Sequence, residues 1–526
     1  MWSVDLAREQ SPSLDTLRRF CDVTVSAGYN ALGLYLEHRF AYPSAPWAAG
    51  AGALTPEMVR TLEREYPSLQ FIPLINVLGH VEGFLYTEEG HRFAEERFHG
   101  MQGNPADSGF GSFAQQLIDD TIDAFASGIV HIGGDETEQL GKSESSRRAI
   151  ESYAHLGPGV DGKARLYGSH VGRLAQHVLA RGRRPAVWGD ILLRHPQALE
   201  LLPGETIIFD WQYFGSPQRT ARVFLDAGFE VVVCPALHTY NATWLHLPQS
   251  EENVRQHAEV AARDGLGTCV TTWECGLFGN YETLLPAIAA AGAMLIDARP
   301  GEEKEEETDD RERYASLRAA PAFLSAYEQV SPAHRQWAEL MGVTLQDAGG
   351  LFAFGGIRSS LKARLLLFSN PFLLWLRNRD ELLGPAGETA AATVARARDL
   401  APDLPTAIIT DFADTALHFV HLAERVRSHY AASDVAAAAA ALTEARTLFE
   451  ALRERAEESH RLYGSSIADV ERCRIAAEHI DTVIERVQQY GNGSLGYLPS
   501  FETITHPKFV PHDQGNWWLH NRWANE

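Results

Sequence analysis

The chain has 526 residues, with 46 Lys and Arg against 69 Asp and Glu, for a formal net charge of −23, and its hydrophobic share is 45%. At roughly 100–200 residues per domain, that length suggests two to four domains, or one large α/β barrel with an accessory domain, with enough apolar residues for sizeable cores. The acidic excess argues against nucleic acid or an anionic membrane surface as partner, since both call for a basic footprint, and it is read mainly as solubility.

The chain opens Met1-Trp2-Ser3-Val4-Asp5, with no basic stretch followed by an apolar core. A cytoplasmic location is therefore expected, or secretion if a leader has been removed. Short β-rich runs then follow at 2–6, 31–36, 70–76, 128–132, 184–188, 206–209, 230–234 and 267–273. Amphipathic segments such as 14–26, 113–124, 164–180 and 251–263 lie between them. Strands alternating with helices imply βα units and a parallel sheet. Eight units in this span predict a (β/α)8 barrel over 1–300; a doubly wound sheet is disfavoured because no Gly-rich phosphate fingerprint follows the first run.

The runs end in chemistry-bearing residues. In order they lead to Arg8, Glu37, Asn76 with His80, Asp135-Glu136, Trp188-Gly189-Asp190, Trp211 with Tyr213, His238 with Tyr240, and Trp273-Glu274. C-terminal strand ends converge on one mouth of a barrel, where active sites are built. The long segment 85–111 follows the third run and is expected to arch over that mouth. An acidic run at 301–310 marks a junction, placed at 301–314. Beyond it, over 315–526, the pattern is helical, with apolar residues at three- and four-residue spacing in 360–383, 406–431, 434–459 and 466–490. Trp517, Trp518 and Trp523 in the tail are read as docking anchors. The longest apolar stretch, 365–376, is broken by Ser369-Asn370-Pro371 and is too short to span a bilayer. Five cysteines with no CxxC spacing argue against a disulfide framework or a structural zinc site.

The sharpest string is Gly128-Ile129-Val130-His131-Ile132-Gly133-Gly134-Asp135-Glu136-Thr137. A β-branched strand ends in two glycines, which allow unusual backbone angles, and then in adjacent acids. Neighbouring carboxylates repel, so one proton is expected to be held above the usual carboxyl range, where it can serve general acid catalysis.

This string resembles the active-site signature of the family-20 glycoside hydrolases, the β-N-acetylhexosaminidases. Pro73-Leu74-Ile75-Asn76-Val77-Leu78-Gly79-His80, Trp188-Gly189-Asp190 and Thr272-Trp273-Glu274 are similar to that family's third-, fifth- and eighth-strand segments, so the resemblance spans about residues 1–300. It implies a retaining hydrolysis of terminal β-linked N-acetylglucosamine or N-acetylgalactosamine from chain ends. The substrate's 2-acetamido oxygen serves as nucleophile and forms an oxazolinium intermediate. It implies Glu136 as general acid/base and Asp135 as the group that polarises the acetamido N–H. By the same resemblance Trp273 stacks on the sugar, and Trp188 and Trp211 wall the acetamido methyl. Tyr240, or else Tyr213, donates to the acetamido carbonyl, Glu37 and Glu274 accept from sugar hydroxyls, and His80 orients a catalytic carboxylate. No cofactor is implied.

The family's arginine before the first-strand aspartate is absent here, and Arg8 is the candidate to replace it. The seventh-strand segment, Pro235 to Asn241, also departs from the family's Tyr-x-Asp form, which leaves the choice between the two amino sugars open. Three alternatives stand beside this reading. One is a galactosamine-selective glycosidase of a divergent related family. Another is a metal-dependent barrel hydrolase using His38, His80, His131 and His238 with Asp135 and Glu136, disfavoured for want of an HxH or HExxH pair. The last is a non-catalytic sugar-binding protein. A monomer and a homo-oligomer are equally compatible with the chain.

Overall fold

The computed structural model describes residues 1–8, 10–97, 100–239, 244–273, 278–301, 314, 316–345 and 383–496. The chain divides into two compact units. The first is Met1–Ala236, Glu252–Thr272 and Ile288–Asp310, and the second is Leu237–Glu251, Trp273–Ala287 and Arg311–Glu526.

The first unit is built on a parallel sheet. Its strands are β1 (Trp2–Asp5), β2 (Ala31–Tyr35), β3 (Gln70–Leu74), β4 (Ile129–His131), β5 (Arg184–Trp188), β6 (Ile207–Trp211) and β7 (Glu230–Cys234). A short β8 (Ala236–Leu237), not expected from the sequence, is followed by β9 (Gly267–Thr268) and β10 (Val270–Thr272). Strands β1 and β2 are buried at every position, as parallel strands covered on both faces require.

The sheet runs β1 to β7 in sequence order, with Trp2 beside Leu32 and Ala31 beside Gln70. The eighth run of the sequence is split at Cys269. Its first half, β9, pairs with β7 (Val232 beside Gly267), and its second half, β10, pairs with β1 (Trp2 beside Val270). One segment thus joins both edges and closes the (β/α)8 barrel.

The crossover helices begin where the sequence supplies caps. Ser13 accepts from the Thr16 N–H, Thr55 from Met58, with Pro56 next, and Asp161 from Lys163 and Ala164. The segment 85–111 is folded in its described part. Phe93 stacks on Phe113 at 5.1 Å, Phe113 on Trp47 at 5.9 Å, and Ala94 bridges Gly103. Glu95 accepts hydrogen bonds from the Gly141 and Ser143 amides and from the Ser143 and Ser146 hydroxyls, tying the segment to the chain that follows β4.

The second unit is helical in its described C-terminal part, where Leu404–Ala431, Val435–Tyr463 and Ile467–Gly491 pack in succession through short connections. The first starts with an Asp403–Thr406 capping box, and the second ends at Gly464 in the left-handed region. Alanines 438, 441 and 445 are buried beside Leu442 and Phe449, with Phe419 against Phe449 at 5.1 Å. The expected helix at 360–383, the acidic run beyond Gly301 and the tail tryptophans lie outside the described residues. Among the described residues, no helix is long and apolar enough to cross a membrane. Cys21, Cys234, Cys269 and Cys473 are buried free thiols.

Candidate active site

Three loops leaving β2, β3 and β4 hold non-glycine residues at positive φ: Glu37 at 39°, His80 at 50° and Glu136 at 47°. Each such conformation costs about 1–3 kcal/mol and persists where its surroundings over-determine it. The β3 and β4 loops interlock. A Cβ on Gly79 would lie 2.0 Å from the Asp135 carbonyl oxygen, and one on Gly133, at φ 74°, would lie 2.0 Å from Asn76 Oδ1. The Gly-His and Gly-Gly steps therefore meet a spacing demand that each loop places on the other. Tyr167 donates from its hydroxyl to the Gly134 carbonyl at 3.0 Å, and the Gly133 N–H donates to His131 Nδ1 at 3.1 Å.

This framework brings Asp135, Glu136 and His80 together. His80 Nε2 lies 3.3 Å from Asp135 Oδ2 and 3.3 Å from Glu136 Oε2. The side chains are graded in exposure, from His80 at 5% and Asp135 at 13% to Glu136 at 31%, so Glu136 reaches furthest toward solvent. Asp135 Oδ1 is buried and has no hydrogen-bond partner among the described residues. The Glu136 amide donates to Asp190 Oδ2 at 3.0 Å.

A second cluster adjoins His80. Arg8 Nη1 sits 3.3 Å from Asp5 and 3.5 Å from Glu37, with its guanidinium over the Tyr35 ring. The Tyr35 hydroxyl donates to Glu37 at 2.9 Å and accepts from Asn76 Nδ2 at 2.6 Å.

Electrostatics revises one expectation. Adjacent acids were expected to retain a proton between them, but His80 stands against both. Burial disfavours the His80 imidazolium, yet the charges of Asp135 and Glu136 and their hydrogen bonds outweigh it and hold its pKa well above the ordinary value. Burial would raise Glu136, but the His80 hydrogen bond and charge prevail, aided by Arg8 and Arg194, and leave it below the ordinary carboxyl value. Both directions favour a protonated His80 beside an ionised Glu136. The raised carboxyls are others. Burial and the charge of Glu82 push Glu37 up to about 8, and burial and Asp135 push Asp190 up to about 7.

These shifts set a pH dependence of stability. His80, Glu37 and Asp190 bind protons more tightly folded than unfolded. Their stabilisation is complete below their unfolded values and is lost as pH rises through the folded ones. For Glu37 that window runs from 4.5 to about 8, and for Asp190 from 3.8 to about 7. Glu136, being lowered, contributes the opposite way, with stability lost as pH falls. The melting temperature is expected to fall as pH rises from 4.5 to about 8, and Glu37→Gln to flatten that slope. Melts at constant ionic strength check it; identical slopes in both proteins would refute the shift at Glu37.

Among the described residues, Glu37, His80 and Glu82 bring ligand atoms within 4.8 Å of one another, a group that could hold a cation. Of the histidines considered for a metal hydrolase, only His80 belongs to this group. His131 is buried in the barrel against Trp188 (4.3 Å) and Phe209 (4.7 Å), where burial lowers its pKa to about 3. His38 is buried near Phe84. His238 belongs to the second unit, where its amide donates to Ser250 Oγ.

The remaining sequence-predicted residues are placed as follows. Trp188 is fully buried, its ring on His131 and Phe209, so here it is barrel packing and presents no face to a ligand. Trp211 and Tyr213 are half-buried at the end of β6, with ring centroids 5.0 Å apart. Trp273 belongs to the second unit, is half-buried, and accepts from Thr239 Oγ1 at its carbonyl. Tyr240 and Glu274 lie outside the described residues. Tyr35, Asn76, Tyr167 and Asp190 were not among the predicted site residues. Asn76, Asp190 and Tyr35, the last residue of β2, stand at strand ends, which is a usable signal; Tyr167, in a crossover helix, carries none.

A parallel eightfold barrel with adjacent carboxylates and a histidine at its strand ends is a framework for acid–base chemistry, and the family profile it matches is that of a glycoside hydrolase. Residues 79–276, which hold His80, Asp135, Glu136, Asp190 and Trp211, match the profile of glycosyl hydrolase family 20, catalytic domain. No curated protein matches the chain. Similar solved structures include the β-N-acetylhexosaminidase of Bacteroides fragilis, at 18% identity and TM-score 0.45, covering 58% of this chain and 67% of that one. The exo-β-N-acetylglucosaminidase of Vibrio harveyi has 18% identity and TM-score 0.46, covering 62% of this chain and 57% of its own. The chitobiase of Flavobacterium johnsoniae has 14% identity and TM-score 0.46, covering 94% and 72%. The chain thus spans little more than half the length of the Vibrio enzyme.

Proposed function

We propose that this protein is a retaining exo-β-N-acetylhexosaminidase that removes terminal N-acetylglucosamine or N-acetylgalactosamine from glycans with the substrate's own acetamide as nucleophile. The observation that carries the reading is the division of labour at the end of β4. Asp135 is largely buried, paired with His80 through one oxygen, and has a second, buried oxygen without a partner among the described residues. That oxygen is a ready acceptor for an amide N–H. Glu136, next along the chain and more exposed, reaches the same histidine.

In this reading Asp135 accepts from the acetamido N–H, which raises electron density on the acetamido oxygen as it attacks the anomeric carbon. His80 passes its proton to Glu136 across their 3.3 Å contact. Glu136 then protonates the departing glycosidic oxygen. The oxazolinium that forms carries positive charge beside the Asp135 carboxylate, which stabilises it. Glu136, now ionised, takes a proton from water as its oxygen attacks the anomeric carbon, the oxazolinium ring opens, the acetamide is restored, and Glu136 returns that proton to His80. In the same reading Arg8 and Glu37 bind ring hydroxyls, and Trp211 and Tyr213 offer aromatic faces to the sugar.

The test compares aryl β-N-acetylglucosaminide, aryl β-N-acetylgalactosaminide and the matching 2-hydroxy glucoside. Cleavage of one or both amino sugars, with the 2-hydroxy sugar inert and a thiazoline inhibiting, is the expected result. Equal turnover of the 2-hydroxy sugar would sink substrate assistance.

A further inference from the structure

We propose that Asp190 is a positioning residue for the acid/base group: its carboxylate holds the Glu136 backbone in the left-handed conformation that keeps the Glu136 side chain against His80. The inference rests on Glu136 having the role argued above. Gly133 and Gly134 can take positive φ freely, but Glu136 carries a Cβ and still sits at 47°. An external anchor is needed, and one is present. The Glu136 amide donates to Asp190 Oδ2 at 3.0 Å, across from β4 to the helix Asp190–Arg194 that follows β5.

The anchor is itself braced. Arg194 Nη2 lies 3.4 Å from the same Oδ2, while its Nη1 donates to Glu138 at 2.6 Å. The Glu138 amide donates in turn to the Glu136 carbonyl at 2.9 Å. One carboxylate–guanidinium pair thus grips the Glu136 amide and the Glu138 side chain, and the turn between them is closed by its own Glu138 N–H to Glu136 carbonyl bond. Asp190 is 15% exposed in its side chain, and its other oxygen is buried with no hydrogen-bond partner among the described residues. The charged and titratable groups that face it are Asp135 and Glu136 from the β4 end, Tyr167 from the helix Gly162–Ala180, and Arg194 from its own helix. Burial and Asp135 raise it to about 7, so an amide at this position resembles the acid form as well as its shape. What the site requires of residue 190 is an acceptor at the Oδ2 position.

Substitution separates that demand from general packing. In the full chain, Asp190→Ala is expected to lower kcat on an aryl N-acetylhexosaminide about 10²-fold with little change in KM, because a small displacement of the acid/base group acts on the chemical step. Asp190→Asn keeps an acceptor and is expected to restore most of the rate. Asp190→Glu keeps the charge but moves the acceptor by a methylene, and should fall with the Ala variant; it stands in where the latter does not fold. A crystal structure of Asp190→Ala, or of Asp190→Glu in its place, is expected to show residue 136 relaxed to negative φ. Wild-type kcat in both Asp190→Ala and Asp190→Glu, an equal loss in Asp190→Asn, or residue 136 still near 47° would overturn the proposal. If the unaltered protein cleaves no amino-sugar glycoside, the functional reading fails, and the φ of residue 136 alone then decides the positioning role.

Discussion

Glu136→Gln is expected to lower kcat on a nitrophenyl N-acetylhexosaminide by about 10³-fold, with KM little changed. Glutamine fills the same space at the barrel mouth but neither delivers nor takes up a proton. Both halves of the reaction lose their proton transfer, so bond cleavage and attack of water slow together. The loss should depend on the leaving group. A dinitrophenolate leaves without protonation, so the first step should recover on that substrate while hydrolysis of the intermediate stays slow, and a burst of phenolate should precede the steady state. Steady-state and stopped-flow absorbance measure both. Full activity in Glu136→Gln would remove Glu136 from the mechanism.

Asp135→Asn is the second large effect, about 10²–10³-fold in kcat. The substitution keeps shape and removes charge beside the site where positive charge develops. It acts in a second way, because the Asp135 charge and hydrogen bond, together with those of Glu136, raise the His80 pKa against its burial. With that charge gone, His80 should titrate lower and the acidic limb of the Glu136 rate profile should shift. NMR titration of the His80 ring, read beside the kcat profile, tests both parts. An unmoved His80 titration would contradict the electrostatic account, and an unmoved kcat would contradict the role of Asp135.

Much of this was legible along the chain. The eight β-rich runs correspond to the barrel strands because a strand buried on both faces needs a local run of apolar, β-branched residues, and such a run is visible without its neighbours. Where run 267–273 breaks was not legible. The split at Cys269 arises because the first half must follow β7 and the second half β1. The short β8 at Ala236–Leu237 likewise has no separate signal in the sequence.

The site divides in the same way. Gly133-Gly134-Asp135-Glu136 and Gly79-His80 announce themselves as strings, since each combines a backbone demand with titratable groups. Their protonation does not. Adjacent acids imply a retained proton, and that inference failed on its location, because the histidine that takes the proton comes from a different strand. Trp188 reads as a ligand face in its motif and is found packed on His131 and Phe209, because a strand residue's side of the barrel depends on closure. The sequence by itself determined which residues end the strands and hence which chemistry gathers at the mouth. Only the tertiary structure decided which of them touch, where the proton rests and what braces Glu136, because charge coupling and hydrogen bonding act over a few ångströms between residues far apart in the chain.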